Sequence, residues 1–149
     1  MDKEEIDRTT PFGMWRYGND FRSAAIAVLK EHNDKHFMPY YFLIGQSIEL
    51  SLKAFLLGRG VELNTLRKQY GHNLQKLLKE ARHRKLGTEV KLDNIHCGGI
   101  DILSIEYIDR RYQYIRTGGM LLPEAWIIQE AADKLSEGLK QYCYEKTKL

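Results

Sequence analysis

Gln46, Glu49 and Lys53 are the residues of this chain whose types and spacing first suggest chemistry. At 100° per residue they fall within roughly 60° of one another on a helix, with Phe42, Leu50, Leu56 and Leu57 close by on both sides. Burying an unpaired charge is costly, so such a polar stripe on an apolar cylinder must either pair internally or open onto solvent or a ligand. The simpler outcome is a Glu49–Lys53 ion pair at i, i+4 that fixes helix packing. The functional outcome is the floor of a polar pocket.

Two other groups are candidates. Arg67 stands five residues before His72, in the order Arg67-Lys68-Gln69-Tyr70-Gly71-His72. Metal-free RNA cleavage needs a base for the ribose 2′-hydroxyl and a cation for the developing phosphorane charge, roles open to His72 and to Arg67 or Arg111. The structural alternative for His72 is to join its loop to Glu49 or to backbone carbonyls. Further on, Arg110, Arg111 and Arg116 are interleaved with Tyr112 and Tyr114. Such a run can grip phosphates and stack bases; equally, its tyrosines can be core and its arginines can pair with Glu106 and Asp109. His32, His36, His96 and Cys97 do not make a metal site, because the close pair His32 and His36 has no further ligand at suitable spacing. No metal and no cofactor are expected.

The elements that must position these groups are helical throughout. A first helix over residues 14–31 carries Tyr17, Phe21, Ala24 and Val28 at steps of four, three and four, the spacing of a buried stripe, with Asn19, Asp20, Arg22 and Lys30 facing outwards or flanking it. The polar cluster 32–36 ends it, and Pro39 suits the first turn of a second helix from Phe37 to Gly58 or Gly60. That helix is apolar all round, which makes it the centre of the bundle. A loop containing Asn64 and Gly71 leads to a third helix, 73–85, with Leu74, Leu77, Leu78 and Ala81 inside and a solvated outer face; Leu86-Gly87 reads as its C-terminal cap. Residues 88–99 read as loop. A fourth helix, 100–114, places Ile100, Leu103, Tyr107 and Tyr114 inwards, and residues 117–119 turn the chain. Pro123-Glu124 starts a fifth helix with Ile128, Ala132, Leu135, Leu139 and Tyr142 in its stripe. The fold class is therefore all-α, an up-and-down bundle of about five helices over residues 13–149, with residues 1–12 as a loose N-terminal arm.

Composition narrows the function classes. With 149 residues, 43% hydrophobic and only 3 prolines, the chain suits one domain and needs no disulfide or structural metal. A net charge of +3 permits nucleic-acid contact without demanding it. Cys97 and Cys143 match no metal or redox spacing and read as reduced thiols. The first residues show no basic-then-apolar leader pattern, and the most apolar run, 38–44, is too short to span a bilayer. A cytoplasmic protein without membrane contact is expected. Trp15, Trp126 and Tyr144 exceed what one core-facing stripe needs, and exposed aromatics of that kind suggest a homodimer.

The run Gln46-Ser47-Ile48-Glu49-Leu50-Ser51-Leu52-Lys53-Ala54, a loop, then Gly71-His72-Asn73-Leu74-Gln75-Lys76-Leu77-Leu78 resembles the HEPN superfamily of small helical bundles. In that group Q-x-x-E-x-x-x-K-A followed by G-H-(N/D)-L and two leucines recurs. The likeness covers residues 37–86, and a tyrosine-rich fourth helix with an arginine pair fits it. The resemblance implies a dimer; members include RNA-cleaving toxins and defence proteins, companions of nucleotidyltransferases, and non-catalytic modules. Arg67 and His72 satisfy the arginine-to-histidine spacing of the nuclease members, although Lys68 follows Arg67 where a small polar residue is usual, and the pair precedes the third helix instead of lying late in the bundle. The expectation is a homodimeric binding module whose cleft, with Gln46, Glu49, Lys53, Arg111, Tyr112 and Arg116, holds RNA, a nucleotide or a protein partner such as a nucleotidyltransferase or an antitoxin. The alternative is a metal-independent ribonuclease with Arg67 and His72 as the catalytic pair.

Overall fold

The computed structural model describes residues 2–32, 37–108 and 121–148. These residues form an all-α bundle built on α2 (Pro11–Glu31), α3 (Met38–Gly58), α5 (Leu74–His83), α6 (Asn94–Tyr107) and α7 (Ala125–Thr147). Shorter pieces are α1 (Lys3–Arg8), a single turn α4 (Leu63–Thr65) that runs into a π-helical turn (Leu66–Tyr70), and a 3-10 turn (Leu86–Thr88). Among the described residues no helix is long and apolar enough to cross a membrane.

Apolar on every side, α3 touches each of the other four long helices. Tyr40, Tyr41, Ile44, Ile48, Leu52, Phe55 and Leu56 on it are all buried. Side-chain bonds give the directions: Phe12 pairs with Thr147 while Trp15 pairs with Ser136, so α2 and α7 are antiparallel. Tyr40 meets Gln129 while Tyr142 meets Phe55, so α3 and α7 are parallel. α3 ends as a Schellman motif, with Gly60 at φ 95, Val61 N donating to Leu56 O and Gly60 N to Leu57 O. Only glycine takes that φ cheaply, and it tucks Val61 into the core.

Four expectations are corrected. The buried face of α2 is Trp15, Gly18 and Ala25; Tyr17 is 68% exposed and Ala24 is exposed. The helix packs on two neighbours at once: the Trp15 indole Nε1–H donates to Ser136 O at 2.8 Å on α7, and a Cβ at Gly18 would lie 3.3 Å from Leu50 Cβ on α3. The face between those contacts is turned by about one residue from the simple stripe. Asn19 and Arg22 are accordingly not outward but in a seam with α7. Arg22 Nη1 meets Asp133 Oδ1 at 2.8 Å, and Ser136 Oγ donates to Asn19 Oδ1 at 2.8 Å.

The third correction is the end of α5, which lies at His83; Lys85 takes the left-handed conformation, φ 68, in place of Gly87. Leu86 is buried, so the chain reverses just before it. The fourth is the start of α6 at Asn94, six residues earlier than expected. Two glycines, Gly98 and Gly99, suggest a loop by propensity. The helix is nonetheless set by a capping box, with Asp93 N donating to His96 Nδ1 at 3.0 Å, and Gly99 admits Ile127 of α7, whose Cγ2 lies 2.9 Å from where a Cβ would stand. At the N-terminus, Lys3–Arg8 is helical and α2 already begins at Pro11, capped by Thr10 Oγ1, which accepts Gly13 N at 3.0 Å. Phe12 stacks on Trp15 at 5.4 Å.

Tyr142 and Cys143 sit where α7 passes the end of α3. The Tyr142 hydroxyl donates to Phe55 O at 2.9 Å, and its ring fills the space above Gly58. Burial pushes the Tyr142 hydroxyl from 10.0 up to about 12 against the opposing charge of Arg59, and burial pushes the Cys143 thiol from 9.0 up to about 12 with Glu89 adding to it. Both groups hold their protons in the folded state after the unfolded chain has released them. Their contribution to stability is therefore complete below about pH 9 and is lost as pH rises towards 12. Thermal melts across that range should show a falling Tm, and Cys143→Ala should make the fall shallower; an unchanged slope would show that the thiol ionises alike in both states.

Candidate functional site: the Glu49 network

Glu49 and Lys53 project from the middle of α3 and are 4% and 8% exposed. Lys53 Nζ donates to Glu49 Oε2 at 3.0 Å. The other carboxylate oxygen accepts twice: from His72 Nδ1 at 2.8 Å and from the Tyr107 hydroxyl at 3.1 Å. Three donors on one buried carboxylate are what an interior charge needs, since Coulomb attraction alone seldom repays desolvation. The carboxylate defines the imidazole tautomer by accepting, so Nδ1 carries the proton in this contact.

Each partner is delivered by a separate element. His72 follows the π turn: Gly71 at φ 51 ends it, its N–H donating to Leu66 O at 3.2 Å, and Asn73 then caps α5 by accepting Lys76 N at 3.0 Å. The chain is pinned on both sides of the histidine. Tyr107 comes from the last turn of α6, and its ring lies over Gly45, one turn before Glu49. The His72 and Tyr107 rings are nearly parallel, at 16°, with centroids 6.3 Å apart. One turn earlier on α6, Ser104 Oγ accepts Gln75 N at 3.1 Å, so α6 also caps the first turn of α5.

Thus the structure brings Glu49, Lys53 and His72 together, as the structural alternative for His72 required. Gln46 is half-buried on the same helix. Arg67 is exposed on the π turn, which replaces the expected loop, while His72 turns inwards to Glu49. Arg111, Tyr112 and Arg116, with Tyr114, His36 and the 117–119 turn, lie outside the described residues.

Sequence reasoning placed Tyr107 on an inner face but missed it as a member of the network. The available signal was Gly45, an isolated glycine inside a long apolar helix, which usually marks close approach by a neighbour. His96 is absorbed elsewhere: its Nδ1 accepts Asp93 N, so Nε2 carries the proton and donates to Glu130 Oε1 at 3.1 Å. Among the described residues no three His, Cys, Asp or Glu side chains are grouped to hold a metal ion.

Chemically, the arrangement is a histidine oriented by an interior carboxylate, with an ammonium on the carboxylate's far oxygen. His72 alone of the three reaches the surface appreciably, its side chain 34% exposed against 5% for Glu49 and 11% for Lys53. No family model matches the chain, and no curated protein or solved structure shows significant similarity to it. The resemblance to HEPN proteins therefore rests on the sequence motifs.

Proposed function

We propose that the chain is a HEPN-like helical binding module that works as a homodimer and uses a cleft at the exposed edge of His72, in front of the buried Glu49 and Lys53, to hold the phosphate-bearing part of RNA or of a nucleotide. The observation that carries this reading is the half-exposed His72 ring fixed by a buried, fully bonded Glu49. A ligand at that surface meets an imidazole of set orientation, and the cost of fixing it has been met in folding. The dimer draws support from exposed apolar residues: Ile95, Ile105 and Ile108 on and just beyond α6, and Trp126, 57% exposed, on α7. Trp15 no longer contributes, being buried against α7. Anisotropy with a labelled RNA oligonucleotide should show binding that weakens in His72→Ala, and light scattering should give twice the monomer mass. Full binding in His72→Ala, or a monomer at high micromolar concentration, would count against the respective half of the proposal.

The second reading, a metal-independent ribonuclease, is favoured by the same Glu49–His72 contact, because a carboxylate that orients an imidazole is a recurrent way to prepare a base. Against it stands Arg67, exposed on the π turn. Purified protein should leave single-stranded and transfer RNA intact in EDTA. Cutting that disappears in both Arg67→Ala and His72→Ala, with folding preserved, would put the ribonuclease first.

A further inference from the structure

Positive charge is not spread over this molecule. Residues 67–91 hold eight Lys or Arg against two acids, a net of six in a chain whose total is +3, so the remainder is net negative. The structure places much of that charge on the outer face of α5 and the turn after it, where Lys76, Lys79, Arg82, His83, Arg84 and Lys85 are all exposed. Lys76 and Arg84 are engaged, Lys76 Nζ donating to Gln69 O at 3.1 Å and Arg84 pairing with Glu80 at 2.8 Å. Among the described residues Lys79, Arg82 and Lys85 form no ion pair. Lys76, Lys79 and Arg82 follow at three-residue steps, about 4.5 Å apart along the axis, so they share one side of the helix.

That side borders a groove of about 580 Å³ between α5 and α6. Lys79, Arg82 and His83 line its α5 wall, Leu78 and Cys97 give it apolar surface, and Gln75 and Asp101 supply an amide and a carboxylate. Asp101 repels phosphate from the α6 wall, which leaves the α5 rim as the place for anions and the groove for a neutral, planar, hydrogen-bonding group. We infer that this surface binds a single-stranded nucleic acid, with phosphodiester groups along Lys76, Lys79 and Arg82 and a base in the groove beside Leu78 and Cys97.

Other polyanions fit less well. An anionic membrane is gripped by a helix that inserts large apolar side chains beside its cations; none of the exposed large hydrophobic side chains among the described residues lies on α5. A duplex presents its bases stacked and paired, whereas the groove suits an unstacked one. The surface goes beyond the proposed cleft and uses none of its residues, so each can hold or fail without the other.

Anisotropy with a labelled 12-nucleotide RNA, the same sequence as single-stranded DNA and its duplex, together with flotation on phosphatidylserine vesicles, tests the assignment. Lys79→Gln/Arg82→Gln should weaken single-strand binding about tenfold or more and flatten the dependence of log K on log salt by about 0.7 for each phosphate that is no longer neutralised. The charge-retaining Lys79→Arg/Arg82→Lys should bind as the wild type does, and circular dichroism should show both variants folded. Tighter binding of RNA than of DNA would add a 2′-hydroxyl contact to the assignment, and equal binding would leave it to the shared backbone. Undiminished binding in Lys79→Gln/Arg82→Gln, loss confined to His72→Ala, preference for the duplex, or binding to vesicles alone would each overturn it; loss confined to His72→Ala would at the same time support the cleft.

Discussion

Glu49→Gln should destabilise the protein by about 3–5 kcal/mol, the cost of leaving one partner of a buried ion pair uncompensated. The amide keeps the shape of the side chain and removes its charge. Lys53, 8% exposed, is then left without the carboxylate that its Nζ meets at 3.0 Å. One amide oxygen must also serve where two carboxylate oxygens now accept from Lys53, His72 and Tyr107. For a chain of this size each kcal/mol moves Tm by roughly 2–4 °C, so a fall on the order of 10 °C is expected. Denaturant titration should show the loss in the midpoint with an unchanged slope.

A smaller loss is expected for the pair taken together. Glu49→Met/Lys53→Met removes both charges and should cost less than Glu49→Met alone, since no cation is then left buried without its partner; the loss that remains is that of His72 and the Tyr107 hydroxyl, whose acceptor on Glu49 is gone. The coupling between the two positions should then exceed the roughly 0.3–0.5 kcal/mol of an exposed i, i+4 helix pair. A coupling indistinguishable from zero would mean that the two charges are solvated separately and that the network does not exist in solution.

How much of this was legible beforehand depends on whether one helix or several decide the outcome. The inner face of α5 at Leu74, Leu77, Leu78 and Ala81 and the α7 stripe at Ile128, Ala132, Leu135, Leu139 and Tyr142 follow from helical periodicity, and the central place of α3 follows from its being apolar all round. The same reasoning fails at α2, where the buried line is Trp15, which reaches α7, then Gly18, which admits α3, and Ala25; glycine and alanine carry too little apolar weight to mark that line in the sequence. It fails again at the start of α6, where propensity counts Gly98 and Gly99 against a helix that the Asp93–His96 capping box establishes. At the site, the Glu49–Lys53 pair is local and readable as i, i+4. His72 needed 23 residues of separation to be bridged and Tyr107 needed 58. Glu49 is one of two structural places open to His72, the other being backbone carbonyls, and nothing in the spacing points to Tyr107.

Tyr107 reaches Glu49 only because residue 45 has no side chain, and Gly45→Ala should therefore lower stability where the same change usually raises it. An alanine in a helix interior is worth about 1 kcal/mol over glycine. At Gly45 the added Cβ would stand 2.6 Å from Tyr107 Cε1 and 2.8 Å from Cδ1, well inside contact, and the ring is 2% exposed with no open space to swing into. Overpacking of that kind costs about 1–3 kcal/mol. Displacing the ring also breaks its hydrogen bond to a carboxylate, about 1.5–3 kcal/mol more. The losses exceed the helix gain, and a net destabilisation of about 2 kcal/mol or more is expected. Gly98→Ala supplies the control: it too is helical, nothing lies within 4 Å of its Cβ position, and it should stabilise by about 1 kcal/mol. Adding Tyr107→Leu to Gly45→Ala should make the alanine cheaper than it is beside tyrosine, which equilibrium unfolding of the four variants measures directly. If Gly45→Ala and Gly98→Ala both stabilise, Tyr107 does not lie across α3, and the third donor to Glu49 has to be sought elsewhere.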